Sequence, residues 1–270
     1  NMACTCWGGG NGMGGHAVLM NTPGFNSRAT AQMAMKALLH IMPDLPIDEL
    51  HRRASEGRFD TGRDLKLFPT SKLEGKRLAV IGYGNIGREF AKLGQAFGMQ
   101  VAVHARPRHR PWIESEGFIY ADHAEDAANG ADVLSLHTGL GTLDAATGKF
   151  ANAGLANAAM LARLNHGAVL INYDRGELVD VDALDAALAS GKVRFASIDA
   201  DLFVNEDGSG VRGPLAPYLR LAARHPGRLE LMPHAAADTD HPSRVAGARQ
   251  AVDQMFDLIQ YREVTNLKGD

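Results

Sequence analysis

The chain is patterned as short apolar runs separated by longer stretches in which apolar residues return every three or four positions. The runs fall at 78–81, 100–104, 132–136, 168–171, 194–198 and 229–231, and each predicts a strand. The stretches between them, at 86–96, 123–128, 151–164, 181–189 and 215–224, predict helices. Strand and helix in alternation point to a parallel sheet with crossover helices. Gly130, Gly167 and Gly191 stand where a helix would end and the next strand begin, as helix C-terminal glycines do. Upstream, Ala31, Met35, Leu38 and Leu39 share one face of a helix over 27–42 that Pro43 and Pro46 close, and a second helix follows over 48–56. A last amphipathic helix is predicted over 242–261 with Asp240 as its N-cap. Residues 1–20 are irregular and rich in glycine.

Behind the first run stands Gly82-Tyr83-Gly84-Asn85-Ile86-Gly87. A strand feeds a glycine turn that opens a helix, the context in which this spacing binds a dinucleotide. Gly82 permits the tight turn, Gly84 lets the backbone approach a pyrophosphate, and Gly87 lets the helix pack closely. The N–H groups of Asn85, Ile86 and Gly87 then face the phosphates at the helix N-terminus. An acidic residue should close the next strand, about 20 residues on, to hold the ribose 2′-hydroxyl of NAD. That strand ends at His104, and the acid's place falls on Ala105, with Arg106, Arg108 and Arg110 behind it. An arginine there suits a 2′-phosphate. The expected cofactor is NADP(H) in preference to NAD(H), which the same cleft could also take.

Composition narrows the class. With 270 residues, 45% hydrophobic and 22% charged, the chain has material for one large domain or two modest ones. A formal net charge of -3 without long blocks of one sign argues against nucleic acid as a partner. No run approaches 18 uninterrupted apolar residues, so no membrane partner is expected. Cys4 and Cys6 are poorly placed for a structural disulfide or a four-ligand metal site, which fits reduced thiols and a cytoplasmic setting. The eleven histidines form no metal spacing, and no metal is predicted.

Ligands of open parallel sheets bind beyond the carboxyl ends of the strands. There the chain carries Asn172-Tyr173-Asp174-Arg175-Gly176 after the fourth run, Asp199 after the fifth and Pro233-His234 after the sixth. These motifs, with Asn21-Thr22-Pro23-Gly24, Val179-Asp180 and Thr239, resemble in kind and order those of the D-isomer-specific 2-hydroxyacid dehydrogenases, from about residue 21 to the end. The resemblance implies a doubly wound α/β (Rossmann) dinucleotide-binding domain over 21–238. It also implies a remnant of a second, flavodoxin-like substrate lobe over 1–20, and a helix returning to that lobe over 239–270. The family's front lobe is longer than the segment present here, and the first residue is not methionine. A fragment of a longer protein or a truncated lobe is expected on that ground.

The chemistry of the residues agrees with the resemblance. A 2-oxo acid needs a cation for its carboxylate, and Arg175 supplies a two-pronged one that also polarises the ketone. Proton delivery to the ketone oxygen suits a histidine, and His234 is the candidate. The resemblance implies a glutamate that orients this histidine; Glu206 is the best match, with Asp201 and Asp207 as alternatives. It places Asp199 on the nicotinamide carboxamide, and His137, Thr138, Tyr173, Asp174 and Ala236 around the cofactor. Several positions depart from the family pattern: Tyr173 and Asp174 replace small residues, and Gly139 stands where a proline is common. The reading is a reductase of small 2-oxo acids acting as a homodimer. A formate-type dehydrogenase and a non-catalytic dinucleotide sensor are the alternatives.

Overall fold

The computed structural model describes residues 20–41, 46–68, 72–238 and 240–266. Cys4, Cys6, the glycine-rich start, Pro43 and Thr239 lie outside the described residues. The chain divides into two compact units, 28–236 and a smaller one built from 1–27 with 237–270.

The larger unit is built on eleven strands in chain order: β1 (Arg77–Ile81), β2 (Gln100–His104), β3 (Ile119–Ala121), β4 (Val133–Leu136), β5 (Leu143–Asp144), β6 (Lys149–Phe150), β7 (Ala168–Asn172), β8 (Val193–Asp199), β9 (Phe203–Val204), β10 (Val211–Arg212) and β11 (Leu229–Met232). Seven of them form one sheet in the order β11-β8-β7-β4-β1-β2-β3, and every neighbouring pair is parallel. A parallel sheet must be covered on both faces, and the central strands show how. Ala79 and Ile81, Leu134 and Leu136, and Ala168 and Leu170 face one core, together with the helices Ala158–Arg163 and Val181–Ala189. Leu78 and Val80, Val133, and Val169 and Ile171 face the other, packed on the helices Ser27–Ile41 and Asn85–Ala96. The period of two along each strand thus splits one apolar run between two layers.

The sheet contains all six predicted strands. The helix predicted over 151–164 is shorter. Residues 151–154 form a turn, Gly154 takes a φ of +68°, and the helix begins only where the Asn157 side chain accepts from the Met160 N–H. The helix predicted over 215–224 starts as a 3₁₀ turn, Ala216–Tyr218, which carries Pro217. Among the strands, the edge strand β3 and the two hairpins β5–β6 and β9–β10 have no counterpart in the periodicity. Each of these strands spans three residues or fewer, too few for alternation to register.

In the smaller unit the helix His241–Tyr261 begins at Asp240, whose carboxylate accepts from the Ser243 N–H at 3.0 Å. Gly247 lets this helix lie against Phe25, since a Cβ there would fall 2.9 Å from the ring. The Gln254 amide donates to the Asn21 carbonyl at 3.0 Å.

Candidate active site

From β1 the chain runs outward one way through β2 and β3, and the other way through β4, β7, β8 and β11. Ligands of such sheets lie in the crevice where the order reverses, beyond the carboxyl ends of the two central strands. Gly82 leaves β1 and His137 leaves β4 at that crevice, and the His137 N–H closes on the Ile81 carbonyl at 2.7 Å. The turn has no room for a side chain. A Cβ on Gly82, whose φ is +105°, would lie 2.1 Å from the His137 carbonyl oxygen, and one on Gly87 would lie 2.1 Å from that of Gly82. Gly84, by contrast, faces open space, and no side chain caps the helix that follows it. A cleft of about 490 Å³ opens here, lined by Gly82, Gly84, His104, Ala105, Arg106, His109, His137, Thr138 and Asn152. Bare backbone, an uncapped helix start and a cleft of this size fit a dinucleotide.

Ala105 is buried at the cleft edge, while the Arg106 side chain is exposed and makes no hydrogen bond or ion pair among the described residues. Arg110, by contrast, is held by Glu114 and Asp122. The segment bearing Arg106 is braced from below. Tyr83 is buried and its hydroxyl donates to Glu116, which Arg88 and Lys92 also bind. Arg88 above all holds the Glu116 carboxyl down at about 2. Trp112 packs edge-on against both Tyr83 and His109. His104 is half-buried with Nδ1 at 3.0 Å from the Ala121 carbonyl oxygen. Ile86 packs into the core, leaving Asn85 exposed at the first helical position. His137 is buried, with Nε2 at 2.8 Å from Ser135 Oγ, and burial alone pushes its pKa down to about 3. It is a neutral wall of the cleft, and its Nδ1 has no hydrogen-bond partner among the described residues.

Beyond β7 the backbone is folded back by Asn172, which is fully buried. Its amide donates to the Arg175 carbonyl at 2.8 Å and its oxygen accepts from the Asp174 N–H at 3.3 Å. Arg175 emerges from this turn about one third exposed. Gly176 is needed directly behind it, because a Cβ there would lie 2.8 Å from the Pro214 carbonyl oxygen. Beyond β11, His234 sits in the left-handed region at a φ of +55°. This conformation is costly for a residue with a Cβ, and such strain gathers at functional sites. The surroundings that hold it are visible. Asp199, at the end of β8, accepts from the Ala235 N–H at 2.7 Å and the Ala236 N–H at 3.3 Å.

Five expectations change. Glu206 is exposed in the connection between β9 and β10, and no contact joins it to His234. The carboxylate beside the histidine is Asp201, with Oδ1 at 3.2 Å from His234 Nδ1, a charge-pair distance at which the two atoms are not aligned for a hydrogen bond. Both groups are partly exposed, so the pair adds ~1 kcal/mol or less to stability, and its consequence is orientation. Asp199 spends both oxygens on the backbone behind His234, and burial raises its pKa. Tyr173 is buried with its hydroxyl 3.2 Å from Ser197 Oγ, and lines a separate cavity with Met33, Lys36 and Glu230. Ala236 is buried in the core. Asp174 bonds the Gly139 N–H at 2.6 Å. Spacing left Asp201 as one of three carboxylates and did not single out His109; the choice of Asp201 depends on the connection after β8 lying beside the residues that follow β11.

The model of the D-isomer specific 2-hydroxyacid dehydrogenase NAD binding domain matches residues 39–236. The chain is 31% identical over 248 residues to a glyoxylate reductase of Aeropyrum pernix, a match spanning 92% of this chain and 68% of that protein. It is 31% identical over 253 residues to a D-lactate dehydrogenase of Lactobacillus delbrueckii subsp. bulgaricus, spanning 91% and 69%. Among solved structures, the NADPH-dependent glyoxylate/hydroxypyruvate reductase of Sinorhizobium meliloti superposes with a TM-score of 0.65 at 26% identity, covering 93% of this chain and 71% of that one.

Proposed function

This chain belongs to the D-isomer specific 2-hydroxyacid dehydrogenase family, and on that footing we propose that it transfers a hydride between a nicotinamide cofactor and a small 2-oxo or 2-hydroxy acid. The observation that carries the reading is the placement of Arg175 beyond β7 and the His234–Asp201 pair beyond β11, in the same unit and at the same sheet end as the glycine cleft. When bound, the nicotinamide supplies the hydride. Arg175 holds the substrate carboxylate and draws electron density from the ketone. His234 delivers the proton that the ketone oxygen needs as charge builds on it. Asp201 lies on the Nδ1 side of that ring, near enough to take its N–H once the ring turns slightly, and Nε2 is then the nitrogen that carries the transferable proton. A carboxylate partner for the histidine speaks for 2-oxo acid reduction rather than formate oxidation. Asp199 fixes the turn that sets the ring.

NADP(H) is the cofactor we propose as preferred. Arg106 is exposed and unpaired among the described residues at the cleft rim, and Ala105 offers no acid to a ribose 2′-hydroxyl. The substrate class is glyoxylate, hydroxypyruvate or a similarly small acid, and a cytoplasmic homodimer is the proposed form. Steady-state rates with glyoxylate, hydroxypyruvate and pyruvate, each with NADPH and NADH, test the reading. Turnover with NADPH at the higher kcat/KM is expected, and Arg106→Ala should raise the KM for NADPH by about tenfold with little change for NADH, as loss of one charge-assisted phosphate contact would. Absence of turnover with every acid sinks the activity, and a preference for NADH sinks the cofactor assignment.

A further inference from the structure

Two departures from the family pattern meet in space. Gly139 leaves β4 and Asp174 leaves β7, 35 residues apart, and the Gly139 N–H donates to Asp174 Oδ2 at 2.6 Å. A proline at 139 has no N–H, and its ring holds φ near −65°, whereas Gly139 stands at +65°. The bond therefore exists only because neither position has its common residue. The same residue is held through its next peptide as well, since the Asn152 amide donates to the Gly139 carbonyl at 3.0 Å. Asp174 is tethered, and its other oxygen, Oδ1, lies 3.6 Å from Arg175 Nη1. That same Nη1 also donates to the Asp174 carbonyl at 3.0 Å. The guanidinium is thus folded back on its neighbour, with a fixed negative charge already beside it.

We propose that Asp174 is a specificity-determining residue: a carboxylate tethered by Gly139 and set against Arg175, where it competes with the substrate's carboxylate for the guanidinium. The proposal rests on the reading of Arg175 as the substrate clamp. An incoming acid must share or displace Asp174, and it meets a like charge at close range. Asp174 also ties the loop that carries the cleft-lining residues His137 and Thr138 to the turn that carries Arg175. Charge and tether separate by substitution. Asp174→Asn keeps an acceptor for the Gly139 N–H and loses the charge, while Asp174→Ala loses both.

The test is KM and kcat for glyoxylate and pyruvate at saturating NADPH in the native protein and both variants, with calorimetric titration of the unreactive dianion oxalate into each protein in the presence of NADPH. Asp174→Asn should lower the KM and the oxalate Kd by about 5-fold, the size of one partly screened charge contact, with the effect on KM exceeding that on kcat. Asp174→Ala should share the tighter oxalate binding and lose kcat, because the Gly139 N–H is left without its partner. A merely structural aspartate would weaken binding in both variants. An unchanged or higher KM and Kd in Asp174→Asn overturns the proposal. If the native protein turns over no 2-oxo acid, the reading of the activity fails by itself, and the ratio of oxalate affinities alone decides the role of Asp174. Oxalate binding by none of the three proteins overturns it.

Discussion

Asp201 lies two residues beyond Asp199 and reaches His234, whereas Glu206, with the expected residue type, is carried away on the β9–β10 connection. Asp201→Asn should lower kcat by about 10- to 100-fold, the range of a misoriented general acid, while Glu206→Gln should leave kcat within about twofold; the reverse ranking would return the role to Glu206. His137 makes a separate prediction about stability. Its folded pKa is pushed down to about 3 by burial, against about 6.5 for a free histidine. The unfolded chain therefore takes up a proton that the folded chain refuses, and the stability His137 permits is full above pH 6.5 and is lost as pH falls toward 3. Urea titrations between pH 7 and pH 5 should show a decline with pH that is shallower in His137→Asn, by up to about 1.4 kcal/mol per pH unit. An identical slope in the two proteins would rule this origin out. At this scale the strand-end positions of Arg175 and His234 were legible from the apolar runs before them, while the side-chain placement of Tyr173 was not. It leaves the same strand end as Arg175, yet its ring turns into the core beside Ser197.

Elements read from periodicity were sound where a run was long enough to show a period. The turn from β1 into the helix Asn85–Ala96 was legible down to its glycines. What spacing could not show is that Gly82 and Gly87 are demanded by His137 and by each other. The same helix contains Gly94, which packs on the strand beneath it. A Cβ at 94 would fall 2.4 Å from Leu78 Cδ2. Gly94→Val should therefore cost about 1–3 kcal/mol by overpacking, seen as a lower denaturation midpoint, while the KM for cofactor stays within twofold because the residue lies about two and a half turns beyond the phosphate-facing end. A midpoint equal to that of the native protein would show that the helix shifts without cost. The hairpins β5–β6 and β9–β10 escaped notice for a plain reason. Two residues per strand carry no measurable alternation, and only pairing across the turn makes them strands.

At the scale of the molecule, the order β11-β8-β7-β4-β1-β2-β3 puts the glycine cleft, Arg175 and the His234–Asp201 pair at one end of a single sheet within the unit 28–236. The assembly follows as a prediction: light scattering coupled to gel filtration at micromolar concentration should give twice the chain mass of 28.9 kDa, and a monomer mass at all concentrations would reject the dimer. The amino-acid sequence by itself determined the alternation of strand and helix, the dinucleotide turn, the absence of an acid at Ala105, and the arginine and histidine at strand ends. Each of these is written in neighbouring residues, where period, glycine spacing and residue type act locally. The tertiary structure alone decided that Asp201 partners His234, that Asp199 anchors backbone and that Tyr173 is buried. It alone joined Asp174 to Gly139, because these contacts are set by how loops from different strands converge, which no local pattern encodes.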